Sequence, residues 1–148
     1  MPHSAVNENT VGEVQSFSIN EDGSLSTVID TVSSGGDGPA FATALSTGSV
    51  AVMNYGSGNA SFIPTSSDGE TFNPSAASSI TFTPPAGGVS HPHMALEYGD
   101  EVFIPDLVSN HSLTIVMLGE FLAYWYASIG RGHNLAPQRA GERRWLSN

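Results

Sequence analysis

Ser49-Val50-Ala51-Val52-Met53-Asn54-Tyr55-Gly56-Ser57-Gly58 reads as one strand running into one turn. Val50 and Val52 lie on one side of an extended chain, with Ala51 and Met53 on the other. A strand apolar on both sides is a strand buried on both faces. Gly56-Ser57-Gly58 then breaks it. The segment Val52-Met53-Asn54-Tyr55 has two relatives in the chain: Ala5-Val6-Asn7-Glu8 before it and Ile104-Pro105-Asp106-Leu107 after it. Each is an apolar pair followed by Asn or Asp. The spacings are 47 residues, from Asn7 to Asn54, and 52 residues, from Asn54 to Asp106. The segments that follow agree as well: Gly12, Phe17 and Asp22-Gly23 match Gly58, Phe62 and Asp68-Gly69.

A repeat of about 40–50 residues holding four short strands is the pattern of a propeller blade. Evenly spaced short strands also fit an all-β sandwich, but the repeat favours the propeller. The predicted fold class is therefore all-β, a partial β-propeller of about two blades in residues 1–110. Residues 111–148 are read as an unrelated, non-propeller tail, apolar and then Arg-bearing, for which a helix is one reading.

Working outward, residues 11–30 read as a hairpin. Gln15, Phe17 and Ile19 alternate with polar residues, Glu21-Asp22-Gly23-Ser24 turns, and Leu25 to Val32 returns. Residues 33–39, SSGGDGP, read as a loop. Further strands are expected at Phe41 to Leu45, Asn59 to Pro64, Ser79 to Phe82, Met94 to Tyr98 and Glu101 to Leu107. Tyr55 and Phe103 are read as core.

Sixteen Gly and nine Pro in 148 residues suit β-structure with frequent turns. With no Cys there is no disulfide framework and no thiolate metal site. The net charge of −10 is unevenly spread. Residues 1–130 carry 13 acids and no Lys or Arg, and the only basic side chains are Arg131, Arg139, Arg143 and Arg144. Such a body repels nucleic acid and anionic membrane surface. The N-terminus shows no basic, apolar signal pattern, and a cytoplasmic location is expected.

Chemistry points to Ser90-His91-Pro92-His93-Met94. Imidazole titrates near neutrality and moves protons, so His93 is the candidate catalytic residue; the plainer reading is a rim histidine bonded to a neighbouring loop. His91, two residues earlier, can point the same way along an extended segment. His-x-His invites a metal, with Asp106 as third ligand, but two ligands make no site. No metal or other cofactor is expected, and Pro92 is expected to fix the shape of the loop. Asn54 and Asp106 occupy equivalent strand ends. They are candidates, with His91, for substrate contact; the alternative is bonding to backbone where one blade meets the next.

These residues together resemble the lactonase family of seven-bladed β-propellers, which includes propeller-type 6-phosphogluconolactonases and 3-carboxy-cis,cis-muconate lactonizing enzymes. The resemblance rests on Ala5-Val6-Asn7-Glu8 with Gly12 to Phe17, on Gly38-Pro39, on Val52 to Gly58, and on Ser90-His91-Pro92-His93 with Val102 to Leu107. It implies a ring of blades with an active site at one mouth of the central channel. It implies a proton-moving role for His93 beside Arg and Glu residues of later blades, and a small anionic lactone or carboxylate substrate. The family's later segments have no match in this sequence, so a truncated member is expected, inactive by itself. A non-catalytic β-repeat interaction module is the alternative.

Residues 113–129, LTIVMLGEFLAYWYASI, are apolar apart from three positions. A short membrane-spanning helix and a buried or amphipathic helix are two readings. A translated intron, with Val108-Ser109 encoded by a splice-donor sequence, is a third.

Overall fold

A computed structural model describes residues 11–82 and 89–106, and assigns residues 112–117 and 124–128 to strands. Strands β1 (Val11–Ser16) and β2 (Asp30–Asp37) pair antiparallel. Strands β3 (Pro39–Ala44), β4 (Ser49–Asn54), β5 (Asn59–Pro64) and β6 (Ser78–Thr81) form a four-stranded meander. Strands β7 (Leu96–Tyr98), β8 (Glu101–Asp106), β9 (Ser112–Met117) and β10 (Tyr124–Ser128) form a second one. Successive four-stranded antiparallel sheets, each made from consecutive chain, are propeller blades.

The two-sided character of β4 explains how the sheets stack. Val50 and Val52 join Val14 and Ile63 in one buried cluster, with Val32, Ala42 and Phe72 at its margin. Ala51 and Met53 join Ala60, Phe62, Ala95, Val102 and Ile104 in another. One parity of β4 thus faces β1–β2 and the other faces the sheet of β7 and β8. Val52, Met53, Val102 and Ile104 are all 0% exposed. Burying a side chain of this size contributes about 1.5–3 kcal/mol relative to exposing it.

The repeat is visible in the pairing. Pro39 pairs with Asn54 in the first meander, and Pro92 with Asp106 in the second. Asn54 pairs onward with Asn59, and Asp106 with Ser112. Strands β4 and β8 are therefore equivalent, and each is the second strand of its sheet, not the edge strand. The first repeat unit, Ala5 to Glu8, lies outside the described residues, as do Leu107 and all four arginines.

Three expectations change. In the hairpin, the turn is where it was read: Asn20 N–H donates to Ser24 O at 2.8 Å, and Gly23 has φ +83°. The regular pairing, however, stops farther from the turn than predicted, at Ser16 and Asp30, with an isolated Ile19–Leu25 bridge nearer the turn. The buried parity of β1 is that of Val14 and Ser16, while Ile19 is 63% exposed. Alternation shows that a strand has two faces; which face is covered is decided by the neighbouring sheet, here through Val50 and Val52.

Residues 33–37, read as loop, are the end of β2. Their Gly content is a packing requirement. A Cβ on Gly36 would collide with the side chains of Ser57 and Asn59, so glycine lets β2 lie close against the end of β5.

Residues 112–117 and 124–128 fall in the apolar segment for which a helix was one reading, and they are strands. The edge of β8 offers unpaired backbone groups, and a segment rich in β-branched and aromatic residues suits a sheet. Among the described residues no helix is long and apolar enough to cross a membrane.

Candidate functional site

Three chain corners meet near the end of β4. The first is Asp37-Gly38, between β2 and β3. Tyr55 N–H donates to Gly38 O at 2.9 Å, and Gly56 N–H to Asp37 O at 3.0 Å. Asp37 N–H in turn donates to the Ser57 hydroxyl at 3.0 Å. The second corner is the β4–β5 turn itself, Tyr55 to Gly58. The third is the segment from Ser90 to Pro92, which precedes β7.

Gly58 fixes how closely the second and third corners approach. It has φ +66°, and a Cβ there would lie 2.8 Å from the Ser90 carbonyl oxygen. A side chain is excluded both by the left-handed backbone and by lack of space. The glycines flanking Ser57 thus make the turn and let the histidine loop rest on it.

Asp106 straps that loop to the end of β8. Its carboxylate accepts a hydrogen bond from the Ser90 hydroxyl through Oδ2. Oδ1 accepts the His91 backbone N–H at 2.6 Å. Ser90 is 2% exposed and Asp106 5%, so both carboxylate oxygens are partnered where water is scarce. Hydrogen bonds to an ionised group in such a place are the strong ones.

Asn54, at the equivalent place, holds a different neighbour. Its Nδ2 donates to Ser34 O at 3.0 Å and to the Ser61 hydroxyl at 3.4 Å, tying β4 to β2. Its Oδ1 is buried with no hydrogen-bond partner among the described residues. Asn59 repeats the device, donating to Gly35 O at 3.1 Å and accepting from the Ser57 hydroxyl.

The two histidines differ. His91 is half-buried. Its Nδ1 lies 2.9 Å from the Tyr55 carbonyl oxygen. Its ring stacks on the Tyr55 ring, with centroids 4.3 Å apart and planes 21° from parallel. His93 is exposed and makes no hydrogen bond to the described residues. Tyr55, read from sequence as core, is 36% exposed and serves as the platform for His91; the strand has ended at Asn54, and the burial that covers Met53 no longer applies.

The structure brings together Tyr55, Ser90, His91 and Asp106, with His93 two residues along. Asn54 lies inside, bonded toward β2. Asp106, weighed as a third metal ligand, directs its carboxylate to Ser90 and His91 N–H. Among the described residues no three His, Asp or Glu side chains converge on one point. Sequence reasoning missed the Tyr55–His91 stack and the Ser90–Asp106 bond. The repeat brings Asp106 beside Pro92 as it brings Asn54 beside Pro39, but the Ser90–Asp106 bond has no counterpart at Asn54, which bonds to Ser34 instead.

Comparison with known proteins gives a family and a fold. The model of a family described as "Lactonase, 7-bladed beta-propeller" matches residues 4–111. The structure is similar to the crystal structure of a candidate 6-phosphogluconolactonase from Bacteroides uniformis ATCC 8492, with a TM-score of 0.61 and 19% identity over 94% of this chain. The chain spans 38% of the length of that protein. No curated protein matches it.

Proposed function

The chain belongs to the lactonase family of seven-bladed β-propellers, and on that premise we propose that it carries the histidine-bearing part of a lactone-opening site. His93, exposed at the rim, moves a proton during ring opening, and His91 beside it contacts the substrate. Asn54 and Asp106 hold the frame of this rim. The substrate class is an anionic sugar lactone of the 6-phosphogluconolactone type, a reading supported by the likeness to the Bacteroides protein. Lactonizing isomerisation of a carboxymuconate is the other chemistry the family resemblance admits.

The observation that carries this proposal is the rim itself: two histidines on a loop held by Asp106, Tyr55 and Gly58 within the residues matched by the family. What limits it is charge. Residues 1–130 contain no Lys or Arg. Phosphate and carboxylate groups are gripped by such cations, Arg forks above all. An acidic rim repels them, so the grip must come from outside residues 1–130. The four arginines of this chain lie in residues 131–148, outside the family match at 4–111, and we propose that the chain by itself does not turn over anionic lactones.

The test follows 6-phosphogluconolactone disappearance with the purified 148-residue chain and with its His93→Ala variant. The expected rate is that of spontaneous hydrolysis for both. Catalysis lost in His93→Ala would overturn the inertness and keep the site. Catalysis that survives the substitution would remove His93 from it.

A further inference from the structure

His91 is held in a way that His93 is not. A carbonyl oxygen only accepts hydrogen bonds, so His91 Nδ1, 2.9 Å from Tyr55 O, must carry a proton. In the neutral ring the lone pair then sits on Nε2, which has no hydrogen-bond partner among the described residues. The Tyr55 ring fixes the plane of the imidazole from one side. The Asp106 carboxylate fixes the His91 backbone through its N–H. Tautomer, plane and attachment are thus all set before any ligand arrives. A general base needs this preorganisation: the acceptor nitrogen must be free and its ring held by its other nitrogen. His93, by contrast, is exposed and makes no such contact.

We propose that His91 is the general base of this rim, Tyr55 its positioning residue, and His93 the proton donor to the leaving oxygen. The proposal rests on the lactone-opening reading above. In the step, Nε2 of His91 takes a proton from water as the water oxygen bonds to the lactone carbonyl carbon. The ring C–O bond then breaks with its electron pair going to the ring oxygen, and that oxygen takes a proton from protonated His93. Solvent returns the proton from His91 to His93. The net change is lactone plus water to hydroxy acid.

The experiment is ring-nitrogen NMR on the histidine-labelled 148-residue chain at a pH where imidazole is neutral. It is run alone, with fresh δ-gluconolactone (an uncharged probe that needs no cationic grip), and with gluconate as control. The expected result is a His91 proton on Nδ1 and lactone-induced shifts at the His91 ring. The lactone-induced shifts should be lost in Tyr55→Ala, which removes the stacking ring but keeps the carbonyl that holds the Nδ1 proton, and retained in Tyr55→Phe. The wild-type spectra and Tyr55→Phe decide the proposal by themselves if Tyr55→Ala does not fold. A His91 proton on Nε2, or shifts confined to His93, overturns the assignment while the lactone reading stands. Nδ1 protonation with no lactone-induced shift at either histidine overturns the base role and the lactone reading together.

Discussion

Asn54 and Asp106 stand at the same position of successive sheets, and their side chains form opposite kinds of hydrogen bond. Asn54 donates, from Nδ2 to the Ser34 carbonyl. Asp106 accepts, from the Ser90 hydroxyl and the His91 N–H. The repeat conserves the place and the polarity of the side chain, while the neighbour decides whether an amide or a carboxylate is needed.

An exchange of the two residue types tests this. Asn54→Asp sets a carboxylate against a carbonyl oxygen with the donor gone, in a place 0% exposed. Loss of a buried hydrogen bond plus an uncompensated charge should cost about 3 kcal/mol or more. Asp106→Asn keeps one acceptor oxygen for the His91 N–H and should cost about 1–2 kcal/mol. Urea unfolding measures both. Equal costs, or the reverse order, would mean that the two sites are interchangeable after all.

Gly58→Ala should destabilise the chain more than an exposed-turn control. At Gly58 the left-handed backbone coincides with a close approach to Ser90 O, whereas at Gly69, with φ +75°, an added Cβ meets nothing within 4 Å. The backbone penalty alone is about 1 kcal/mol, and the collision adds to it only at Gly58. The His91 ring signals should move in Gly58→Ala and stay fixed in Gly69→Ala. A matched loss of stability in the two variants would show that the histidine loop does not depend on Gly58.

Much of this fold is legible in the residues. The buried strand at β4, the turns at Gly23 and at Gly56 to Gly58, and the 52-residue offset from Asn54 to Asp106 are local patterns, and local patterns survive folding. The β2 strand at Ser33 to Asp37 was not legible, because its composition is that of a loop and only the groups it packs against make it a strand. Nor was the strand character of 112–117 and 124–128: an apolar run admits helix and strand alike until a partner edge is known. At the site, the sequence points to the His91-Pro92-His93 segment and, with the family resemblance, ranks His93 first as the proton carrier, without showing which histidine is held. What separates them is the Tyr55 carbonyl, 36 residues away, and no motif encodes that distance.

Asp68 gives a pH prediction of known sign. Hydrogen bonds from the Ser66 hydroxyl and then the Glu70 N–H hold its carboxyl below the ordinary value of 3.8. A carboxylate depressed in the folded state contributes stability above its unfolded pKa, and the contribution is lost as pH falls through the folded value. The turn from Ser66 to Thr71 should therefore be insensitive to pH above about 4 and loosen only below it. Carboxyl-carbon NMR should show the Asp68 midpoint under 3.8, rising toward that value in Ser66→Ala. A midpoint unmoved by the substitution would remove the hydroxyl as the cause.

Met53 and Ile104 come from different sheets, are both 0% exposed, and share one buried cluster. If the sheets fold as one unit, each should report on the stability of the whole. Met53→Ala and Ile104→Ala should each cost about 2–5 kcal/mol, with the cavity term setting the place in that range. Residues of a common cluster also couple, so the double variant should depart from the sum of the singles by about 0.5 kcal/mol or more. Hydrogen exchange read separately on β4 and β8 distinguishes the cases. In a single cooperative unit, Met53→Ala accelerates exchange in β8 as much as in β4. If the sheets open independently, Met53→Ala leaves the protection of β8 at its wild-type level, and the interface between them is then a contact between two folded pieces, not the core of one.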